Sequence, residues 1–315
     1  RHYAIEITPA IFFSQTTLEK VASYLLAQHA AAMTAFYGAA QAPVATSRMP
    51  QRAASIASAP ITSAPITPAP VVEMPNGTPE PIAIIGMSGR FAQARTIAEF
   101  WNGLVEGREA IAEIPPERFD WRDAYASGEI KSKWLGTLPG VAEFDALFFD
   151  TSPREALTMD PRQRLLLQES WNALEDAAYG QAQLTQQSIG VFVGVEQGEY
   201  LVLSGGQGTL TSNHDAILAS RLSYFLDLRG PAMALNTSCS SGLVAAHQAC
   251  LSLRAGECDA AIAAGVNLML TPYAYAGMTQ AGMLSEDGRC YAFDRRANGL
   301  VPGEAIVSVV LKRLS

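Results

Sequence analysis

The chain has 315 residues, 49% hydrophobic and 17% charged, and its 22 Lys+Arg against 30 Asp+Glu leave a net charge of −8. That length suggests about two domains, and the acidic balance offers no global field for nucleic acid, so an acidic partner needs a local basic patch. No apolar run approaches the roughly 20 residues that span a bilayer and the amino terminus lacks a signal pattern, which leaves the cytoplasm as the expected location.

Residues 16–26 predict an amphipathic helix: Thr17 precedes Leu18, Val21, Ala22, Leu25 and Leu26, which recur at helical spacing. One such helix cannot stand alone and wants a partner. From 39 to 79 the chain is rich in Ala, Pro, Ser and Thr, with eight prolines. Such a stretch buries too little apolar surface to offset chain entropy, so it is expected to be a semi-extended linker.

Beyond it, strand-like and helix-like stretches alternate, which argues for an α/β fold. Ile82–Ile85 and Ile189–Val195 are β-rich runs bounded by glycine, and 260–268 and 306–311 look like further buried strands. Residues 162–179 have helical periodicity, with Leu165, Leu166, Trp171, Leu174 and Ala178 on one face. Gly194, Gly198, Gly205, Gly206 and Gly208 lack the Gly-Lys-Ser/Thr of a phosphate loop and read as a mobile loop.

The candidate nucleophile is Cys239. An apolar stretch ending at Leu235 breaks at Asn236-Thr237-Ser238-Cys239-Ser240-Ser241-Gly242, and a helix-like run follows, ending at Gly256. A cysteine at the first turn of a helix faces unpaired N–H groups and the positive end of the dipole, which favour thiolate over thiol. The small residues after it leave room for an acyl group and for backbone N–H groups to face its carbonyl oxygen. The plainer reading is a small buried hydrophobe. Because the run from Leu243 to Leu251 is apolar almost all round, this helix is expected to be a buried central element. Cys239, Cys250, Cys258 and Cys290 form neither a disulfide framework nor a zinc pair at CxxC spacing; they read as reduced thiols, with no metal site.

The Cys239 motif resembles that of the β-ketoacyl synthases, the condensing enzymes with the thiolase fold. Further runs follow in the family's order: 81–91, 100–104, 144–156, Met159-Asp160-Pro161-Arg162-Gln163-Arg164, 282–285, 288–294 and 297–304. The resemblance covers about 80–315, and residues 1–38 resemble the carboxy-terminal end of an acyl carrier protein without its phosphopantetheine-bearing serine motif; an interdomain docking helix is the alternative. Asn236 and Gly242, where many members have aspartate and serine, look most like assembly lines whose acyltransferase acts in trans.

The resemblance implies the amino-terminal portion of a polyketide synthase ketosynthase. Cys239 would take an acyl chain from carrier phosphopantetheine, and a malonyl-type extender would condense with it after losing carbon dioxide. No bound cofactor is expected beyond the phosphopantetheine that carries the substrates. Expected partners are acyl carrier proteins, a second ketosynthase copy forming a homodimer, and a trans-acting acyltransferase, with no nucleic acid and no membrane. The family's two histidines and lysine have no matching segment before Ser315, so condensation by this chain alone is not expected. A non-elongating transacylase and a half-domain needing a complementary chain are the alternatives.

Other polar residues read as structural. His247, about 12 Å along the helix from Cys239 at 1.5 Å per residue, is expected to be packed, and His214 beside Asp215 to be structural. Asp160 with Arg162, and Asp294 with Arg295 and Arg296, read as scaffolding. Glu304 is expected to support the site, and Met269, Met278 and Met283 to be adaptable packing beside an acyl chain.

Overall fold

The computed structural model describes Ser23, Tyr24, residues 26–30 and residues 79–315. The chain divides into two units, Arg1–Val72 and Glu73–Ser315. In the first, Ser23, Tyr24, Leu26, Ala27, Gln28 and Ala30 are helical and Leu26 is exposed. These residues overlap the end of the expected amphipathic helix; the rest of the carrier-like segment, and the linker up to residue 78, lie outside the described residues.

The second unit is built on a five-stranded sheet in the order β1-β7-β6-β4-β5. Its strands are β1 (Ile82–Arg90), β4 (Ile189–Val195), β5 (Ala232–Leu235), β6 (Ala260–Asn267) and β7 (Ala305–Arg313). β4 runs parallel to both β5 and β6, whereas β7 is antiparallel to both β6 and β1. A two-stranded ribbon of β2 (Ala112–Glu113) and β3 (Trp134–Leu135) stands apart from it. The helices in chain order are α1 (Ile97–Val105), α2 (Arg122–Ala126), α3 (Pro153–Thr158), α4 (Pro161–Asp176), α5 (Gln181–Gln186), α6 (Tyr200–Leu203), α7 (Leu210–Asn213), α8 (Ile217–Phe225), α9 (Ser241–Ala255) and α10 (Tyr273–Gln280). Among the described residues no helix is long and apolar enough to cross a membrane.

Alternation along the strands assigns side chains to two layers, because successive strand residues face opposite ways. Val191, Val193, Ile262, Ala264, Ile306 and Val310 pack with Leu165, Leu166 and Leu174 of α4 and Leu218 and Leu222 of α8. Phe192, Ala261, Ala263 and Leu311 pack on the other side with Ala245, Ala249 and Leu253 of α9. The continuous apolar runs of β4 and β6 are thus strands covered on both faces. Helix α4 starts where Asp160 accepts the Arg162 N–H at 2.8 Å and Pro161 occupies the first turn. It ends at Asp176, so Ala178, placed by periodicity on its apolar face, lies beyond it at a positive φ of 55°.

Helix α9 departs from expectation more sharply. Gly256 terminates it in the left-handed conformation, φ 73°, as its position after Arg254 predicts. Its burial, however, is one-sided: Ala245, Ala249 and Leu253 face the sheet, while Leu243, His247 and Leu251 are exposed. Only the sheet-facing stripe has a packing layer among the described residues, so the helix is not the fully enclosed element its composition suggests, nor is His247 packed.

Candidate active site

The site forms where β5 ends and α9 begins. Within β4 and β6, Gly194 pairs with Gly265, and these glycines let the start of α9 lie against the sheet. A Cβ on Gly194 would meet the Ser241 carbonyl carbon at 2.4 Å and the Gly242 nitrogen at 2.5 Å; one on Gly265 would lie 3.5 Å from Gly242 Cα. No larger residue at 194 leaves room for the helix. Gly194, grouped by composition with the glycines of a loop, is therefore a strand residue that sets the helix's approach.

The turn between strand and helix is tied by its own side chains. Asn236 Oδ1 accepts the Ser238 N–H at 3.0 Å. Ser241 Oγ accepts the Thr237 N–H at 2.8 Å and donates to the Ser238 carbonyl at 2.7 Å. Ser240 Oγ donates to Thr237 at 2.9 Å. These bonds hold Ser238 at φ 54°, a left-handed conformation that costs a non-glycine residue on the order of 1 kcal/mol. Strain of this kind, in the residue before Cys239, is what a sharp strand-to-helix elbow requires. Cys239 is exposed, two positions before the first residue of α9 and just ahead of the Ser240 cap, rather than inside the first turn. All four cysteines are free, and Cys258 is buried.

Cys239 opens onto a cavity of about 600 Å³. Its walls come from the ends of β4 and β6, from α10 and from the start of β7; Met269, Met278 and Met283 line it with Val195, Val266 and Ala305. The three methionines expected beside an acyl chain therefore share one chamber with the thiol. A second cavity of about 430 Å³ shares Glu196, Asn267, Met269 and Ala274 with the first and continues to Glu199, Val202, Thr271 and Tyr273. Of the glycine-rich segment, Gly198 lines this second cavity, whereas Gly205, Gly206 and Gly208 line neither.

Buried ionic groups hold these walls. Glu304 accepts the Leu138 N–H at 2.8 Å and the Met269 N–H at 2.9 Å, and it pairs with Arg118 at 2.9 Å. Burial pushes its carboxyl above the ordinary range, against the opposing pull of Arg118 and the two amides. Glu199 accepts the Leu270 and Thr271 N–H groups at 2.8 and 2.9 Å, fixing the approach to α10. Arg162 pairs with Asp160 at 2.8 Å and Asp215 at 2.7 Å and donates to the Glu196 carbonyl. Burial opposes its charge, but the two carboxylates outweigh that and raise its pKa. The expected Asp160–Arg162 scaffold thus reaches the cavity wall through Glu196. Asp294 pairs with Arg296 at 3.0 Å in an exposed bridge.

His214 is local structure: its Nδ1 accepts the Ala216 N–H at 3.1 Å, and Asp215 turns to Arg162 instead. No histidine lines the cavity among the described residues. Asn267, Glu199 and Arg118 were not singled out by motif. For Gly194 and Gly265 the available signal was a glycine inside an otherwise apolar strand.

The family model of the β-ketoacyl synthase amino-terminal domain matches residues 79–315. Polyketide synthase PksM of Bacillus subtilis is 44% identical over 316 residues, spanning 100% of this chain and 7% of that protein. Polyketide synthase ThaG of Burkholderia thailandensis is 54% identical over 237 residues, 75% of this chain and 4% of that protein. Among solved structures, the ketosynthase from module 6 of the bacillaene synthase of Bacillus subtilis aligns with a TM-score of 0.70 at 46% identity, covering 74% of this chain and 40% of that chain. An oxazolomycin ketosynthase domain from Streptomyces albus aligns at 0.69 and 41%, covering 74% and 42%. The chain therefore spans a small part of its curated relatives and less than half of the solved ketosynthases.

Proposed function

Because the chain belongs to the β-ketoacyl synthase family, with the family's thiolase-like fold, we propose that Cys239 is the acyl-accepting nucleophile of a polyketide synthase ketosynthase. The observation that carries this reading is an exposed thiol on a strained strand-to-helix turn, opening onto a methionine-lined chamber. Its sulfur attacks the thioester carbonyl of an acyl chain carried on phosphopantetheine. The new carbon–sulfur bond replaces the old one, and the phosphopantetheine thiol leaves with a proton, so thioester energy is conserved.

In the complete enzyme, a malonyl-type extender on a carrier then loses carbon dioxide. Its carbanion attacks the Cys239-bound carbonyl, releasing the cysteine sulfur and leaving a β-ketoacyl product. That second step needs donors that stabilise the developing oxyanion. Acyl carrier proteins supply and receive the chains, a second copy completes a homodimer, and an acyltransferase acts in trans, all in the cytoplasm. Residues 1–38 are the end of a carrier protein, 39–79 a linker and 80–315 the ketosynthase portion.

Intact-protein mass spectrometry after incubation with an acyl thioester tests the reading. The expected result is one adduct that maps to Cys239 and is absent in Cys239→Ala. Labelling of Cys290 in its place, or an adduct that survives the substitution, overturns it.

A further inference from the structure

Away from the chamber beside Cys239, a cleft of about 440 Å³ opens between the end of α4 and α5. Trp171, Tyr179 and Leu184 wall it together with Glu175, and no arginine, lysine or histidine is among its lining residues. Trp171 is half-buried, and Phe148 meets it in a T-shaped contact with ring centroids 5.1 Å apart. The Tyr179 hydroxyl donates to Gln187 Oε1 at 3.0 Å, so what this residue adds to the wall is its ring.

The charge of this cleft is unbalanced. Glu175 is exposed, and its carboxylate has neither an ion pair nor a hydrogen bond among the described residues. Its neighbour Asp176 is already engaged, accepting the Met87 N–H at 2.8 Å. Trp171 and Glu175 are four residues apart on α4, which puts ring and carboxylate on one face of the helix with Cβ atoms about 5–6 Å apart. The helix ends at Asp176 with no basic residue in its last turn, although the negative end of a helix dipole favours a cation there. None of the cation–π contacts among the described residues involves Trp171 or Tyr179. A local charge rule broken without compensation inside the chain marks a place that another group completes.

Aromatic rings beside a carboxylate favour a flat cation. A guanidinium stacks on an aromatic face and pairs with a carboxylate through two N–H groups at once, whereas an ammonium is a compact, strongly hydrated charge. Apolar surface also continues past the cleft, since Phe148, which touches Trp171, and its neighbour Leu147 are both exposed. A small free cation leaves that surface wet; a polypeptide covers it.

We propose that this cleft is a docking site for a partner polypeptide, and that it takes the side chain of an arginine flanked by apolar residues. The guanidinium stacks on Trp171 and pairs with Glu175, while the flanking residues lie on Phe148 and Leu147. Helix α5 leads into β4 at Ile189, whereas the Cys239 chamber begins at the other end of that strand, at Gly194 and Val195. At about 3.3 Å per residue the strand keeps the two sites roughly 20 Å apart. Partner and acyl chain therefore bind without competing, and the docking site does not rest on the chemistry of Cys239.

Calorimetric titration of the full chain with acetyl-Leu-Arg-Leu-amide tests this, against the same peptide with citrulline in place of arginine and against ethylguanidinium. The arginine peptide is expected to bind saturably, and the citrulline peptide about tenfold more weakly, having lost both the ion pair and the stacked charge. Ethylguanidinium is expected to bind at least about tenfold more weakly than the arginine peptide, because it leaves the apolar surface uncovered. Glu175→Gln, at an exposed position without partners, is expected to fold like its parent and to weaken the arginine peptide by about threefold while leaving the citrulline peptide unchanged. Absence of saturable binding overturns the proposal, as do equal affinities for arginine and citrulline peptides or an unchanged affinity in Glu175→Gln. Ethylguanidinium binding as tightly as the peptide makes the occupant a small cation and overturns the polypeptide. Iodoacetamide should alkylate Cys239 at the same rate with the peptide bound; protection of that thiol places the peptide in the chamber and refutes the assignment to this cleft.

Discussion

Gly194→Ala is the most direct probe of how the fold positions Cys239. The added methyl would sit 2.4 Å from the Ser241 carbonyl carbon and 2.5 Å from the Gly242 nitrogen and the Ser241 carbonyl oxygen. All three are backbone atoms, and β4 is fixed by strands on both edges, so no side chain can swing away. Ordinary contact at about 3.5 Å therefore requires the first turn of α9 to retreat by about 1 Å. Overpacking of this kind costs about 1–3 kcal/mol. For a unit of this size the melting temperature should fall by about 2–12 °C, at about 2–4 °C per kcal/mol. A displacement of about 1 Å at a reacting group lowers rates by about 100-fold, so acylation of Cys239 should slow by that order even well below the melting transition. Gly103→Ala in α1 is the control, because a Cβ there meets nothing nearer than Arg108 Nη1 at 4.0 Å and the residue lines neither cavity. Thermal melting and time-resolved mass spectrometry read the two effects separately. A Gly194→Ala protein that melts and acylates like its parent would refute the argument that this glycine sets the helix.

Two further outcomes follow from the buried groups. Glu304→Gln leaves one carbonyl oxygen where two carboxylate oxygens serve Arg118, Leu138 and Met269, and breaking such a buried pair costs about 3–5 kcal/mol, measurable by denaturant titration. Burial raises the Glu304 pKa, so the fold binds that proton more readily than the unfolded chain; its contribution to stability declines as pH rises from the ordinary carboxylate range through the raised value, and that slope disappears in the Gln variant. Among the thiols, Cys239 and Cys290 are exposed, while Cys258 is buried with its pKa pushed up by that burial. A maleimide should label the first two in the folded protein and Cys258 only on unfolding, as peptide mapping would show; rapid labelling of Cys258 contradicts its placement.

Local signals carried much of the fold. The apolar runs of β4, β6 and β7 and the glycine stop of α9 each express a rule acting over a few residues, and all were legible; the Asp160-Pro161 start of α4 is as local a signal but was read only as part of an ion pair. The strand-to-helix turn that carries Cys239 was legible for the same reason, since an apolar run, a tight polar turn and a helix adjoin in sequence. Less visible were effects between distant segments. Glu304 pairs with Arg118 across 186 positions, and Asn267, at the end of β6 where the cavities meet, donates to the Gly303 carbonyl. The apolar circumference of α9 misled because composition records what a helix can bury, not which side meets a sheet.

The placement of β7 has a consequence for assembly. It follows the other four strands of the sheet in sequence, yet it lies between β1 and β6, bringing Glu304 and Ala305 to the chamber wall. As the polypeptide leaves the ribosome, β1 and β6 have no common partner until residues 305–313 emerge, and both present raw edges in the meantime. The cavity beside Cys239 consequently closes only after residues 305–313 emerge, through long-range pairing of the slow kind. Premature termination before that point would yield an aggregation-prone sheet with a breach down its middle.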